Sequence, residues 1–164
     1  MANGDERASV VERVNALVDQ GFIRPPNGGA ELRDPVPIHL PGGGIHSWMV
    51  PFVAGEKLLA WAQIGRTLEF LRFSLLAGGR AESCPSAADW LDPRVVAARI
   101  AKAAAPLHLV GGPVLSYDRD PSRLVWVADV AEPGEPTHHW FAAGTEVWPE
   151  RENQEMTGGP PARR

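Results

Sequence analysis

The spacing of hydrophobic positions changes along the chain, and each change predicts a different element. Val10, Val11, Val14, Leu17 and Val18 recur at helical spacing, with Glu6, Glu12, Arg13 and Asp19 between them. This predicts an amphipathic helix stopped by Gly21. Ser9 and Glu12 have capping-box spacing, and Asn3 or Asp5 can also start the helix. From His46 the period shortens to that of strands. Trp48 to Ala54 and Leu58 to Ile64 read as a hairpin turning at Gly55-Glu56. Pro51 confines its strand to an edge or a bulge. Leu68 to Leu76 reads as a third strand, with Glu69, Leu71, Phe73 and Leu75 on one face and Phe70, Arg72 and Ser74 on the other. A helix through 66–77 fits the same positions.

Gly78-Gly79 breaks the pattern. Ser86 to Leu91 reads as a helical turn capped through Ser86 and Asp89. Asp92-Pro93 then opens a second long helix, aspartate at the N-cap and proline at the first helical position. Its stripe of Val96, Ile100, Ala103 and Ala104 is thin enough to pack close to a sheet, and Pro106 ends it. Val114 to Tyr117 and Leu124 to Val130 flank the turn-rich connector 118–122, and Thr137 to Ala142 and Thr145 to Trp148 supply the last strands.

Between these elements, residues 24–45 hold Pro25, Pro26, Pro35, Pro37 and Pro41 with several glycines. Proline lacks an N–H and fixes φ, which forbids a regular helix or a central strand there. A loop of this length inside a small domain is more often functional or disordered than incidental. The expected organisation is one domain over 1–150 and a disordered tail over 151–164.

The two halves share a layout. Phe52 to Trp61 aligns with Tyr117 to Trp126, with Leu59 falling on Leu124. The expected fold is therefore α+β, built from two pseudo-repeated units over about 8–76 and 86–148. Each unit holds a helix and an antiparallel sheet of three to four strands.

Composition narrows the partners. The net charge is −4, Lys57 and Lys102 are the only lysines, and the arginines are scattered, so no basic stripe exists for nucleic acid. No apolar run approaches the ~20 residues that span a bilayer. The polar N-terminus lacks the apolar core of a signal peptide, and the expected location is cytoplasmic. Cys84 is the single cysteine, which rules out an intrachain disulfide or a cysteine-based zinc cluster. No cofactor and no metal are expected.

Candidate chemistry is sparse. His39 and His46 flank Gly42-Gly43-Gly44, and with His138 or His139 they could converge on a metal. However, adjacent strand residues face opposite ways, so His138 and His139 cannot both ligate one ion. Cys84 precedes a helix, where a thiol pKa falls, yet no histidine is placed beside it, and a buried small hydrophobe is the preferred reading. Asp118 and Asp120 suit a hairpin turn better than a cation loop. The glycine run lacks the lysine and helix start of a phosphate cradle. Trp48, Trp61, Trp90, Trp126, Trp140 and Trp148 should dominate the core, with one or two left at a groove or interface.

A helix over 92–105, then Gly112-Pro-Val-Leu-Ser-Tyr117, then Arg123-Leu-Val-Trp-Val-Ala-Asp-Val130, resembles the PepSY domain and the wider cystatin-like group. The resemblance covers about 92–148, and 8–76 through the internal match. It implies an inhibitory or assembly-assisting module without catalytic residues.

Two readings follow. The first is a non-enzymatic binding or regulatory module that holds a protein or peptide against its sheet through Trp48, Trp61, Tyr117, Trp126, His138 and Trp140. It carries the expectation of a homodimer or a stable complex, because its strand edges need covering. The second is a small enzyme or ligand carrier whose pocket uses Asp129, His138, Tyr117 and Cys84.

Overall fold

The structure, a computed structural model, describes residues 4–26, 29–118 and 120–151. Of the expected tail, all but Arg151 lies outside these residues. Helix α1 spans Gly4–Asp19 and buries Val10, Val14 and Leu17. Asp5 and Glu6 in its first turn complement the helix dipole. Ser9 is not the cap: it lies inside the helix, and its hydroxyl donates to the Asp5 carbonyl at 3.0 Å. Gly21 ends the helix as expected, at φ +77°, while the Phe22 N–H reaches back to the Leu17 carbonyl.

The strands are β1 (Glu31–Leu32), β2 (Val36–His39), β3 (Ile45–Ala54), β4 (Lys57–Gly65) and β5 (Phe70–Leu75) in the first half. Then come α2 (Ala87–Leu91) and α3 (Pro93–Ala104), followed by β6 (His108–Leu109), β7 (Val114–Asp118), β8 (Asp120–Ala131), β9 (His138–Ala143) and β10 (Glu146–Pro149). All ten strands form one sheet, in the order β10-β9-β8-β7-β2-β3-β4-β5, with β1 added to β3 and β6 to β8. Every pairing is antiparallel except that of β2 with β7. The fold is α+β with one large mixed sheet, not two separate antiparallel sheets. No helix among the described residues is long and apolar enough to cross a membrane.

The tryptophan match does not fall on equivalent places in this order. Both matched segments are hairpins, but Trp61 lies on β4, the third strand of the run β2-β3-β4-β5. Trp126 lies on β8, the second strand of the run β7-β8-β9-β10.

Two proline expectations are corrected. The segment 24–45 contains β2, a central strand, despite Pro37. Strand β2 pairs with β3 through Pro37↔Trp48 and meets β7 at the single register pair Ile38↔Leu115, next to Pro35, Pro37 and Pro113, which have no N–H to give. Likewise β3 is an interior strand despite Pro51. Its far side is paired by β1 up to Leu32 and by β2 from Val36, and Pro51 falls opposite the interruption, accepting a 3.0 Å bond from the Arg33 N–H. The expected bulge does occur beside it, between Phe52 and Val53.

A second bulge, between Gln63 and Ile64, corrects the reading of β5. Phe70 pairs with Ile64, Phe73 with Ala62 and Leu75 with Ala60, so Phe70 joins the face of Phe73 and Leu75 and Leu71 is the extra residue. The strand itself stands in place of the alternative helix.

Register also shows which face each helix covers. Trp48, Val50, Phe52, Ala60, Ala62 and Ile64 pack with α1. Their strand neighbour Met49 packs with Ile38, Leu115, Trp126, Ala128, Ala142 and the Val96, Ile100 and Ala104 stripe of α3. Adjacent residues of a strand point to opposite faces, so α1 and α3 cover opposite sides of the sheet. Helix α3 starts as expected, with the Asp92 carboxylate accepting from the Arg94 N–H at 2.9 Å and Pro93 in the first turn. Helix α2 does not use its expected side-chain cap at Ser86, and Asp89 instead holds Arg99 at 2.5 Å.

Candidate functional site

Strands β2 and β7 share one register pair, Ile38↔Leu115, and just beyond it the Ser116 hydroxyl donates to the His39 carbonyl at 2.8 Å. On the N-terminal side of the two strands lies a cleft of about 930 Å³. Val36, Leu91, Val114 and Trp126 give it an apolar lining, and Arg7, Arg33 and Arg94 stand around it with Asp34 and Asp92. Val114 is 40% exposed and Trp126 only 4%, so the indole forms floor rather than rim. The Trp126 Nε1–H donates to the Trp90 carbonyl at 2.9 Å, which fixes the ring between α2 and the sheet.

The arginines differ in their commitments. Arg94 grips Asp92 through both side-chain oxygens at 3.2 Å, and this contact holds the Asp92 carboxyl below its ordinary range and raises Arg94. Arg33 reaches Glu31 only at 4.0 Å, and the Arg7 guanidinium stacks 5.8 Å from the Trp48 ring. A ligand carboxylate arriving at the cleft therefore meets cationic groups whose present partners are distant or exchangeable.

On the other side of the bridge, Tyr117 leans past the end of β2 into a polar cluster. The Gln63 Nε2–H₂ donates to Tyr117 Oη at 2.6 Å and to Ser47 Oγ at 2.8 Å. His46 Nδ1 lies 3.1 Å from Tyr117 Oη and 3.0 Å from Ser47 Oγ. Arg72 Nε–H donates to Gln63 Oε1 at 2.9 Å, and its guanidinium lies 4.5 Å over the Trp61 ring. Nearby, the Thr67 hydroxyl holds the Glu69 carboxyl below its ordinary value. Ser47 is fully buried with its oxygen already engaged, so the serine and histidine here tie strands together rather than present a nucleophile.

The expected binding residues do not form one surface. Trp61, Tyr117, Trp126 and Trp140 share the face covered by α3, whereas Trp48 is buried under α1 on the other. His138 is exposed. The groups of the pocket reading are also dispersed. Asp129 binds His139, not His138, with Nδ1 and Oδ1 2.6 Å apart and both side chains about half exposed. Cys84 is buried, its thiol 3.3 Å from the Leu76 carbonyl. Asp118 lies 3.6 Å from Arg123, and Gly42 to Gly44 form a tight turn from β2 to β3 with positive φ at each glycine. Among the described residues, no group of three His, Cys, Asp or Glu side chains could hold a metal ion.

Sequence reasoning missed the cleft, because nothing local announces which strands will meet beside it. It also passed over Gln63, whose polar side chain inside the apolar run Leu58–Ile64 was a visible sign of a buried network. Set against protein-family models, curated proteins and solved structures, the chain matches none.

Proposed function

We propose that this protein is a non-enzymatic binding module that takes an extended segment of a protein or peptide into the cleft beside β2 and β7. The observation that carries the reading is the cleft itself: an apolar lining beside β2 and β7 with three arginines around it and two aspartates, one of them held by Arg94. The side chains of an extended segment, alternating in direction, would meet Val36, Leu91 and Val114. The ligand chemistry that fits is a short apolar segment with an acidic residue beside it. The dispersal of Asp129, His138, Tyr117 and Cys84 weighs against the pocket-enzyme reading.

The order α1 then β2 to β5, and α3 then β7 to β10, supports a duplicated unit shifted by one strand from the tryptophan match. The PepSY-like and cystatin-like resemblance belongs to the same proposal, supported by the run from α3 through β7 into β8. A cytoplasmic setting also belongs to it, since a single free, buried thiol suits a reducing compartment.

The test is a fluorescence-anisotropy screen of a random peptide library against the full chain. Acidic, apolar-containing sequences should be selected, binding should weaken with salt, and Arg33→Glu or Val114→Asp should reduce affinity about tenfold. A library without binders, or binding indifferent to both substitutions, refutes the reading.

A further inference from the structure

We propose that the outer edge of β5 is a self-association surface that pairs antiparallel with β5 of a second copy. The two ends of the sheet are unequal. At one end β10 carries Glu146 and Pro149 over four residues, the charge and proline by which proteins keep an edge from pairing. At the other end β5 is six residues long, and no strand among the described residues pairs with its outer side. Its sequence, Phe-Leu-Arg-Phe-Ser-Leu, contains neither proline nor acid.

Strand β5 carries a bulge at Leu71 and one inward-turned charge, but no outward charge. Arg72 turns inward, bonded to Gln63 and stacked on Trp61 of the neighbouring strand. What faces outward is apolar: Phe70 is 37% exposed, Leu71 43% and Leu75 46%, with Leu68 at 36% just before the strand. Helix α1 stands over β3 and β4 and reaches the Leu68 carbonyl through Arg13 at 3.0 Å; on that face Phe73 packs into the core while Phe70 and Leu75 stay partly open.

The occupant is a second copy because the strand is complementary to itself. A two-fold axis perpendicular to the sheet keeps each face continuous, so paired residues must share a face and the axis must pass through a residue. An axis at Arg72 would set two guanidiniums against each other. An axis at Phe73 sets Phe73 beside its copy, Arg72 opposite Ser74 of the partner subunit, and Leu71 level with Leu75 of the partner subunit. No like charges then meet, and both faces of the junction are apolar or neutral. One pair of six-residue strands buries less than the ~800 Å² per partner of a standard stable interface, so the contact is a weak, reversible one.

Sedimentation velocity of the full chain across the micromolar range tests this. A reversible monomer–dimer equilibrium is expected, and Leu71→Lys/Leu75→Lys should weaken it about tenfold or more while the far-UV circular dichroism stays unchanged. Mixing Leu71→Cys protein with Leu75→Cys protein under oxidation should give crosslinked dimers faster than either variant alone, since each cysteine would lie far from its own copy. The cleft variant Val114→Asp should dimerise like the parent, which separates this surface from the peptide site. A monomer at the highest concentration, a dimer indifferent to the lysines, or crosslinking that does not need mixing would overturn the proposal.

Discussion

Replacing Gln63 by leucine is the sharpest test of how the two halves of the sheet are held together. Gln63 is 4% exposed and makes three side-chain bonds: it donates to Ser47 and Tyr117 and accepts from Arg72. Leucine has nearly the same volume, so the change removes polarity and leaves packing largely intact. The two neutral bonds contribute about 1 kcal/mol each, and the bond to the charged guanidinium about 1.5–3 kcal/mol. Part of this is recovered, because Ser47 and Tyr117 each keep His46 as a partner and half-buried Tyr117 can turn to water. Burial of two added apolar groups offsets a little more. The expected net loss is about 2–3 kcal/mol, concentrated on Arg72.

Urea unfolding followed by tryptophan fluorescence reads this directly. With a slope of roughly 1–3 kcal/mol/M for a chain of this size, the midpoint should fall by about 1–2 M. Tyr117→Phe alone should cost about 1 kcal/mol, and the double variant should lose less than the sum, because both act on one bond. A midpoint for Gln63→Leu within about 0.2 M of the parent would show that the cluster contributes nothing to stability, and the account of a polar clasp across β3, β4, β5 and β7 would fail.

Leu17→Ala and Ile100→Ala empty fully buried sites under α1 and α3, and each should cost about 3 kcal/mol in the same assay; because the sites lie on opposite faces of the sheet, the double variant should show the simple sum. Gly144→Ala should lower stability by about 1–2 kcal/mol, since the glycine sits at φ +59° and a new Cβ would stand 3.2 Å from the Trp90 indole nitrogen; a gain in melting temperature would contradict this. Asp92 has its pKa lowered in the folded state, chiefly by Arg94, so its contribution is present above the ordinary value of 3.8 and is lost as pH falls through the folded value. The drop in thermal stability on acidification should therefore be smaller in Asp92→Ala than in the parent, and equal drops would refute the assignment.

What could be read from the residues was whatever is decided within one turn or one strand. Asp92-Pro93 marks a helix start by hydrogen-bond geometry that involves only its immediate neighbours, and Gly55-Glu56 marks a hairpin for the same reason. The period of Val10, Val14 and Leu17 was legible because one face of α1 is buried along its length. Illegible features were those set by distant partners. Pro37 and Pro51 argued against interior strands, and the argument was sound locally. It failed because pairing at a proline depends on segments far along the chain: the partner strand changes opposite Pro51, and β2 shares a single register pair with β7. The faces of β5 were misassigned for a like reason, since the bulge at Leu71 is defined only against Ile64 and Gln63 on β4. The cleft is the extreme case: it lies beside β2 and β7, which are separated along the chain by two helices and four strands and share one register pair. Prolines that weaken a strand's pairing are therefore better read as limiting one side of it than as excluding the strand. In this chain, Pro35, Pro37 and Pro113 mark the mouth of the proposed binding site.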